Sequence, residues 1–228
     1  QKKNTSIRKL RRPMPRLRIR FGRGPEVKFI SHLDIMRFWE RAFRRAQIPL
    51  AYSEGFSPHP QISLAAPLPV GVTSEAELMD VLVSRWVSPQ WFTAVVNQQL
   101  TPGFEILGVL SIIPTTPSLQ SRLRHAEYQV EVPTDREAQD IKSAISHLLS
   151  LESLPWHHRR DTGQRSYDLR TLIDGLWLVA WRQPYGTIGM RLRCDSGGSG
   201  RPEQVTSALG FTSHPQSIHR TRLILESS

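Results

Sequence analysis

The amino-acid sequence predicts an α+β fold made of two tandem ferredoxin-like units, each with the element order β-α-β-β-α-β. Three observations support it. Runs with every second residue apolar alternate with runs whose apolar residues recur at three- and four-residue spacing, the signatures of strands and amphipathic helices. The same order of elements occurs twice, as a repeat of pattern and not of residue identity. Between the two passes lies SIIPTTPSLQS, Ser111 to Ser121, a Pro/Ser/Thr stretch of linker composition. The expected organisation is a basic leader at 1–15, a first unit at 16–112, a linker at 113–125 and a second unit at 126–228.

The first strand is Arg16 to Phe21, with Leu17, Ile19 and Phe21 alternating, and Gly22-Arg23-Gly24-Pro25 reads as the turn that follows. A helix comes next, from Ser31 to about Gln47. Successive residues turn by roughly 100°, which puts Ile35, Met36, Trp39, Ala42, Phe43 and Ala46 on one face and Arg37, Arg41, Arg44 and Arg45 on the other. Ser31 suits the N-cap, with Asp34 in a shorter-armed capping box. Strands follow at Gln61 to Pro67 and Glu77 to Ser84. Ser88 and Pro89 start a helix to about Leu100, because Ser caps and Pro tolerates the first helical position. Phe104 to Ile112 completes the unit. In the second unit Glu127 to Val132 alternates as a strand, and Thr134 to Leu151 reads as a helix with Thr134 and Glu137 in capping-box positions. Strands are expected near Leu154 to His158, Leu169 to Trp181 and Thr187 to Cys194, the middle one split or bulged. A short helix after Ser199-Gly200-Arg201-Pro202 ends at Gly210, and Ile218 to Leu225 closes the unit.

Charge is distributed unevenly. Residues 1–45 carry 15 Lys and Arg against three acids, whereas residues 46–228 carry 15 against 17, so the net +10 resides in the first fifth of the chain. A clustered cationic footprint favours a phosphate-bearing partner, RNA or DNA. A membrane partner is disfavoured, because the apolar face of the helix is needed for a core and no stretch reaches the roughly 20 apolar residues of a transmembrane span. One cysteine, Cys194, excludes an internal disulfide, a cysteine-ligated zinc site and a three-cysteine iron–sulfur motif within this chain. That composition fits a reducing, cytoplasmic setting. The N-terminus has no apolar signal region, and a start at Gln1 reads as a trimmed chain or a fragment.

The segment FISHLDIMRFWERAFRRAQIPLAYSEGFSPHPQISLAAPLPVGVTSEAELMDV, with SYDLRTLI, SGRPEQVTSALG and IHRTRLIL further on, resembles a radical-SAM-linked bacterial domain of unknown function over about residues 16–226. The resemblance implies a helper: in that family the domain often follows a radical SAM enzyme, or stands alone. With Cys194 alone, the chain does not itself hold a radical SAM cluster, and no cofactor is expected in it. The resemblance also implies a radical SAM enzyme as partner, in cis or in trans. At fold level, tandem ferredoxin-like units with basic surfaces are similar to RAMP-type endoribonucleases, although fold does not determine function.

The expected function is RNA recognition, with rRNA or tRNA as the partner. Arg18, Arg20, Arg37, Arg41, Arg44 and Arg45 would engage phosphates, while Tyr52, Phe56 and His59 would stack on or pair with unpaired bases. As an alternative, a metal-free ribonuclease needs a general base and a general acid, and His32, Tyr52 and His59 are the residues that fit. A third reading is a protein-interaction or substrate-delivery domain for the radical SAM enzyme. His157-His158-Arg159-Arg160 is no metal motif, since adjacent strand residues point to opposite faces, and no metal ligands are assigned. Ser196 to Pro202 is a loop-to-helix connection without a Walker lysine. Asp168 is a candidate ion-pair partner for Arg220 or Arg222. Those two arginines would share one face if the last strand kept a two-residue period.

Overall fold

A computed structural model describes residues 14–160 and 163–226; the basic leader to residue 13 lies outside them. Strand β1 (Arg16–Arg23) buries Leu17, Ile19 and Phe21 as the alternation requires, and runs two residues further than expected, carrying Arg23 inward. Helix α1 (His32–Arg45) is capped by Ser31, whose Oγ accepts the Asp34 N–H at 3.2 Å and donates to Asp34 Oδ2 at 2.7 Å. The Asp34 carboxylate thus answers the cap hydroxyl. The helix ends in a Schellman motif: Gln47 takes φ 55°, its N–H bonds Arg44 O at 3.1 Å, and Ile48 N–H reaches back to Phe43 O at 3.0 Å. The apolar face packs down as read, with Trp39 fully buried 4.9 Å from Phe21 and stacked on Phe43.

Strands β2 (Ile62–Leu64) and β3 (Thr73–Leu82) follow, then α2 (Pro89–Asn97), capped by Ser88 through the Trp91 N–H, and β4 (Phe104–Ile112). β3 begins four residues before the expected Glu77. Its extra residues have long-range partners, Ser74 opposite Arg23 and Thr73 opposite His219, which no local pattern reveals.

The stretch of linker composition holds a short helix, α3 (Leu119–Arg122), capped by Ser118 and anchored by the buried Leu119. Strand β5 (Leu123–Pro133) leads to α4 (Ala138–Ser150), which starts four residues later than expected. Thr134 Oγ1 accepts the Arg136 N–H at 3.1 Å, a local side-chain turn that competes with a helix cap, and Glu137 stands at the N-cap without a side-chain bond. The expected Leu169–Trp181 strand is not split in two: its first residues form a 3₁₀ turn and the rest runs as one bulged strand. A hairpin of β6 (Pro155–Arg160) and β7 (Gly163–Asp168) forms its own two-stranded sheet, a 3₁₀ turn spans Arg170–Leu172, and β8 (Ile173–Arg182) follows. Strands β9 (Tyr185–Asp195) and β10 (Gly198–Ser199), helix α5 (Pro202–Ala208) and β11 (Ser217–Leu225) complete the chain, with Gly210 at φ +89° just past α5.

All strands but β6 and β7 join one nine-stranded mixed sheet, ordered β10-β9-β5-β11-β3-β1-β4, with β2 beside β3 and β8 beside β9. The halves meet where β11 pairs β3 in parallel, His219 opposite Thr73 and Arg220 opposite Ser74. β2 occupies the same edge of β3 further along, at Met79 to Val81, so β3 divides one edge between its own half and the other. The core has two clusters: one of Leu17, Trp39, Phe43, Met79 and Phe92, the other of Val130, Ile141, Ile188, Met190 and Val205.

Candidate nucleic-acid interface and the cleft at the sheet seam

Arg37, Arg41, Arg44 and Arg45 are all exposed along α1, on the face opposite the buried Ile35, Trp39, Ala42 and Phe43. Arg37 lies 3.4 Å from Asp34, and Arg45 donates to Gln99 O at 2.9 Å. Arg41 and Arg44 have no hydrogen-bond or ion-pair partner among the described residues. Arg18 and Arg20 do not join this surface. They alternate with Leu17, Ile19 and Phe21, whose side α1 covers, so both project from the other face of the sheet. Arg20 is exposed there, whereas Arg18 grips the buried Asp80 through Nε at 2.8 Å and Nη2 at 2.9 Å. A guanidinium held this way has its charge matched within the protein and offers little to a phosphate. The two-residue period of β1 thus sets Arg18 and Arg20 apart from the helix arginines.

The loop from Tyr52 to Pro60 is closed by a bridge between those two residues. Ser53 N–H bonds His59 O at 2.9 Å, His59 N–H bonds Ser53 Oγ at 3.1 Å, and the same Oγ lies 3.1 Å from His59 Nδ1. The closure holds the loop, and Phe56 stands fully exposed near its tip beyond Gly55, which adopts φ +123°. Tyr52 is half exposed and His32 is exposed at the start of α1. No hydrogen bond joins any two of His32, Tyr52 and His59 among the described residues. Ser53 holds the His59 ring nitrogen as part of the loop.

A second feature lies at the seam. Arg220, 1% exposed, donates from Nε to Glu77 Oε1 at 2.9 Å and from Nη2 to Glu77 Oε2 at 2.6 Å. Burial alone would lower the Arg220 pKa, but the Glu77 carboxylate outweighs it and the guanidinium is held charged. Burial raises the Tyr128 hydroxyl, and the neighbouring Arg220 works against that shift. Arg222 is not on this face. A bulge between Arg220 and Arg222 shifts the register, leaving Arg220 opposite Tyr128 and the exposed Arg222 opposite Glu127, so the shared face expected for them does not form. Asp168 pairs with neither. Its Oδ1 accepts the N–H of Leu154 at 2.8 Å and of Arg170 at 2.9 Å, and these bonds, Leu154 first, pull its carboxyl below the ordinary value. Arg23, read as part of a turn, is buried and donates to four carbonyls, Val27, Leu68, Lys28 and Ile30. The continuing period-2 pattern of β1 was its only local signal.

Above this ion pair a cavity of about 550 Å³ opens between the Leu68 loop, the end of β7, the β9–β10 turn and the first turn of α5. Tyr128 and Arg220 form part of its lining, with Tyr167, Leu172, Arg193 and Gln204 around it. Gln204 is 7% exposed; its Oε1 accepts the Tyr167 hydroxyl, and its Nε2 has no partner. Nothing in the local sequence marks Gln204, because α5, β7 and β9 meet there only through the fold.

The family model described as an uncharacterized protein conserved in bacteria (DUF2344) matches residues 16–202. The chain belongs to that family. No curated protein matches. Among solved structures, this DUF2344 chain is similar to a chain in the crystal structure of a Cbf5-Nop10-Gar1 complex, with a TM-score of 0.52 and 11% identity, over 92% of this chain and 49% of that one. A structure of an H/ACA RNP bound to a substrate RNA containing 2'-deoxyuridine aligns with a TM-score of 0.49 and 11% identity, over 91% and 47% of the two chains. The archaeal box H/ACA sRNP Nop10-Cbf5 complex gives 0.48 and 10%, over 92% and 48%. The DUF2344 chain thus spans about half the length of the chains it matches, and at 11% identity the likeness to the Cbf5-Nop10-Gar1 chain is one of fold. No helix among the described residues is long and apolar enough to cross a membrane.

Proposed function

We propose that this DUF2344 chain is an RNA-binding accessory module that recognises RNA without cutting it, working beside a radical SAM enzyme or other RNA-processing machinery in the cytoplasm. One observation carries the reading: a helix locked to the core by Trp39 and Phe43 displays four exposed arginines, two of them unpartnered among the described residues. A rigid cationic ridge of this kind suits a row of phosphates, and arginine matches phosphate with two parallel donors. The loop beside it offers Phe56 and Tyr52 as stacking platforms for unpaired bases. The aromatic loop joins the end of β3 through Leu50 and Ala51, which lie just past the α1 C-terminal turn, so only a short connection separates ridge and platform.

Recognition is favoured over cleavage by the state of the candidate acid–base groups. His59 is tied to Ser53, and neither Tyr52 nor His32 is joined to it. The test is charge reversal of Arg37, Arg41, Arg44 and Arg45 to Glu, read by RNA binding and by thermal melting. We expect binding to be lost and the melting temperature to be kept, because all four side chains lie outside the core. Unchanged affinity overturns the reading. RNA products that form in EDTA and vanish in His59→Ala would replace it with the nuclease.

A further inference from the structure

The seam cavity holds an unexplained polar group. Gln204 is more than nine-tenths buried and lines the cavity, and its amide has two ends, of which Tyr167 satisfies one. Its Nε2 has no protein partner among the described residues. Native folds rarely leave such a group unpaired, and a buried one calls for a reason. The surrounding surface indicates what would pair with it. Tyr167, Leu172 and Pro202 present flat or apolar faces, the exposed Arg201 stands at the rim with no partner among the described residues, and the volume falls within the range of small-molecule sites. A cleft with apolar walls, a buried carboxamide among its lining residues and a cation at its mouth match a nucleotide: faces for the ring, an amide for its hydrogen-bonding edge, a guanidinium for its phosphate.

We propose that the cleft beside Arg220, between the Leu68 loop and α5, is a nucleotide pocket in which Gln204 reads the edge of one base and Arg201 meets its phosphate. The proposal rests on the RNA reading above for its source, an unpaired residue of a bound strand, and the same chemistry also fits a free mononucleotide. Arg220, held by the buried Glu77, is part of the pocket floor. Its charge is matched, so it positions the walls without competing for the ligand.

The experiment titrates the full chain with the four ribonucleoside monophosphates, with a single-stranded ten-nucleotide RNA pool and with its duplex. Each titration is repeated on Gln204→Leu, on Thr171→Trp, which fills the rim from an exposed position, and on the helix arginine reversal. We expect Gln204→Leu and Thr171→Trp to weaken the single strand by about tenfold, the size of one lost base-edge pairing, and to leave the duplex and the melting temperature unchanged. Mononucleotide binding that depends on Gln204, with no strand binding, supports the pocket, names free nucleotide as its source and sinks the RNA reading. Strand binding lost on arginine reversal yet untouched by Gln204→Leu and Thr171→Trp overturns the pocket and leaves the RNA reading standing. Absence of Gln204-dependent binding in every titration overturns the pocket outright. Should Gln204→Leu melt early, Thr171→Trp alone decides.

Discussion

Glu77 and Arg220 show how one residue pair joins two halves of a chain 143 positions apart in sequence. Each charge is buried, and each is tolerable only because the other is there. Glu77→Ala should therefore destabilise the protein by about 3–5 kcal/mol, the cost of an orphaned buried guanidinium, as read by urea unfolding. A loss below about 1 kcal/mol, within the range of an exposed pair, would show that the pair is solvated. Asp168 makes the pH case. Its folded pKa is depressed below the ordinary 3.8, so its contribution to stability is complete above that value and is lost as pH falls through the lower, folded one. Asp168→Asn should flatten the acid limb of stability below about pH 4 and cost stability at neutral pH; an unaltered acid limb would refute the assignment. Arg23 and Gln204 belong at this scale too, since both were hidden in sequence. Each is a polar residue made structural by neighbours from distant elements.

At the scale of elements, α1 was the most legible. Its 3.6-residue period, the Ser31 cap and the arginine face all follow from local spacing, and the structure has each of them. The exit of the helix was less so. Gln47 adopts the left-handed conformation that glycine tolerates at no steric cost. Gln47→Gly should accordingly stabilise the protein by up to about 1 kcal/mol, measured as a rise in melting temperature, and a fall would mean that the Gln47 side chain makes a contact worth more than the strain. Strand β8 carries a sequence signal of its neighbour. Trp177 and Trp181 lie over Gly189 and Gly186 of β9, where an added Cβ would fall about 2 Å from the indole rings, so the spacing of tryptophans and glycines records which strands are neighbours. The start of α4 was misplaced because Thr134 has two local options, cap or turn, and the choice lies with the chain around Arg136.

For the molecule as a whole, the seam decides how the halves behave. A continuous sheet through β3 and β11, with a buried ion pair beneath it, couples the two cores. Unfolding should be one transition, with tryptophan fluorescence and far-ultraviolet dichroism coincident in denaturant; separated transitions would show that the seam carries little energy. The sequence by itself determined the α+β class, the amphipathic basic helix and the concentration of charge near the start, because all of these are periods and compositions within a few turns or strands. Tertiary structure alone decided that the two halves of the chain share one sheet, that Arg18 is held by Asp80 while Arg20 faces away from the helix arginines, and that Arg220, paired to Glu77, meets Tyr128 and Gln204 at one cleft. The physical reason is that strand partners, buried charge pairs and cavities are made by residues far apart in the chain, and their pairing is set by which surfaces the whole fold brings together.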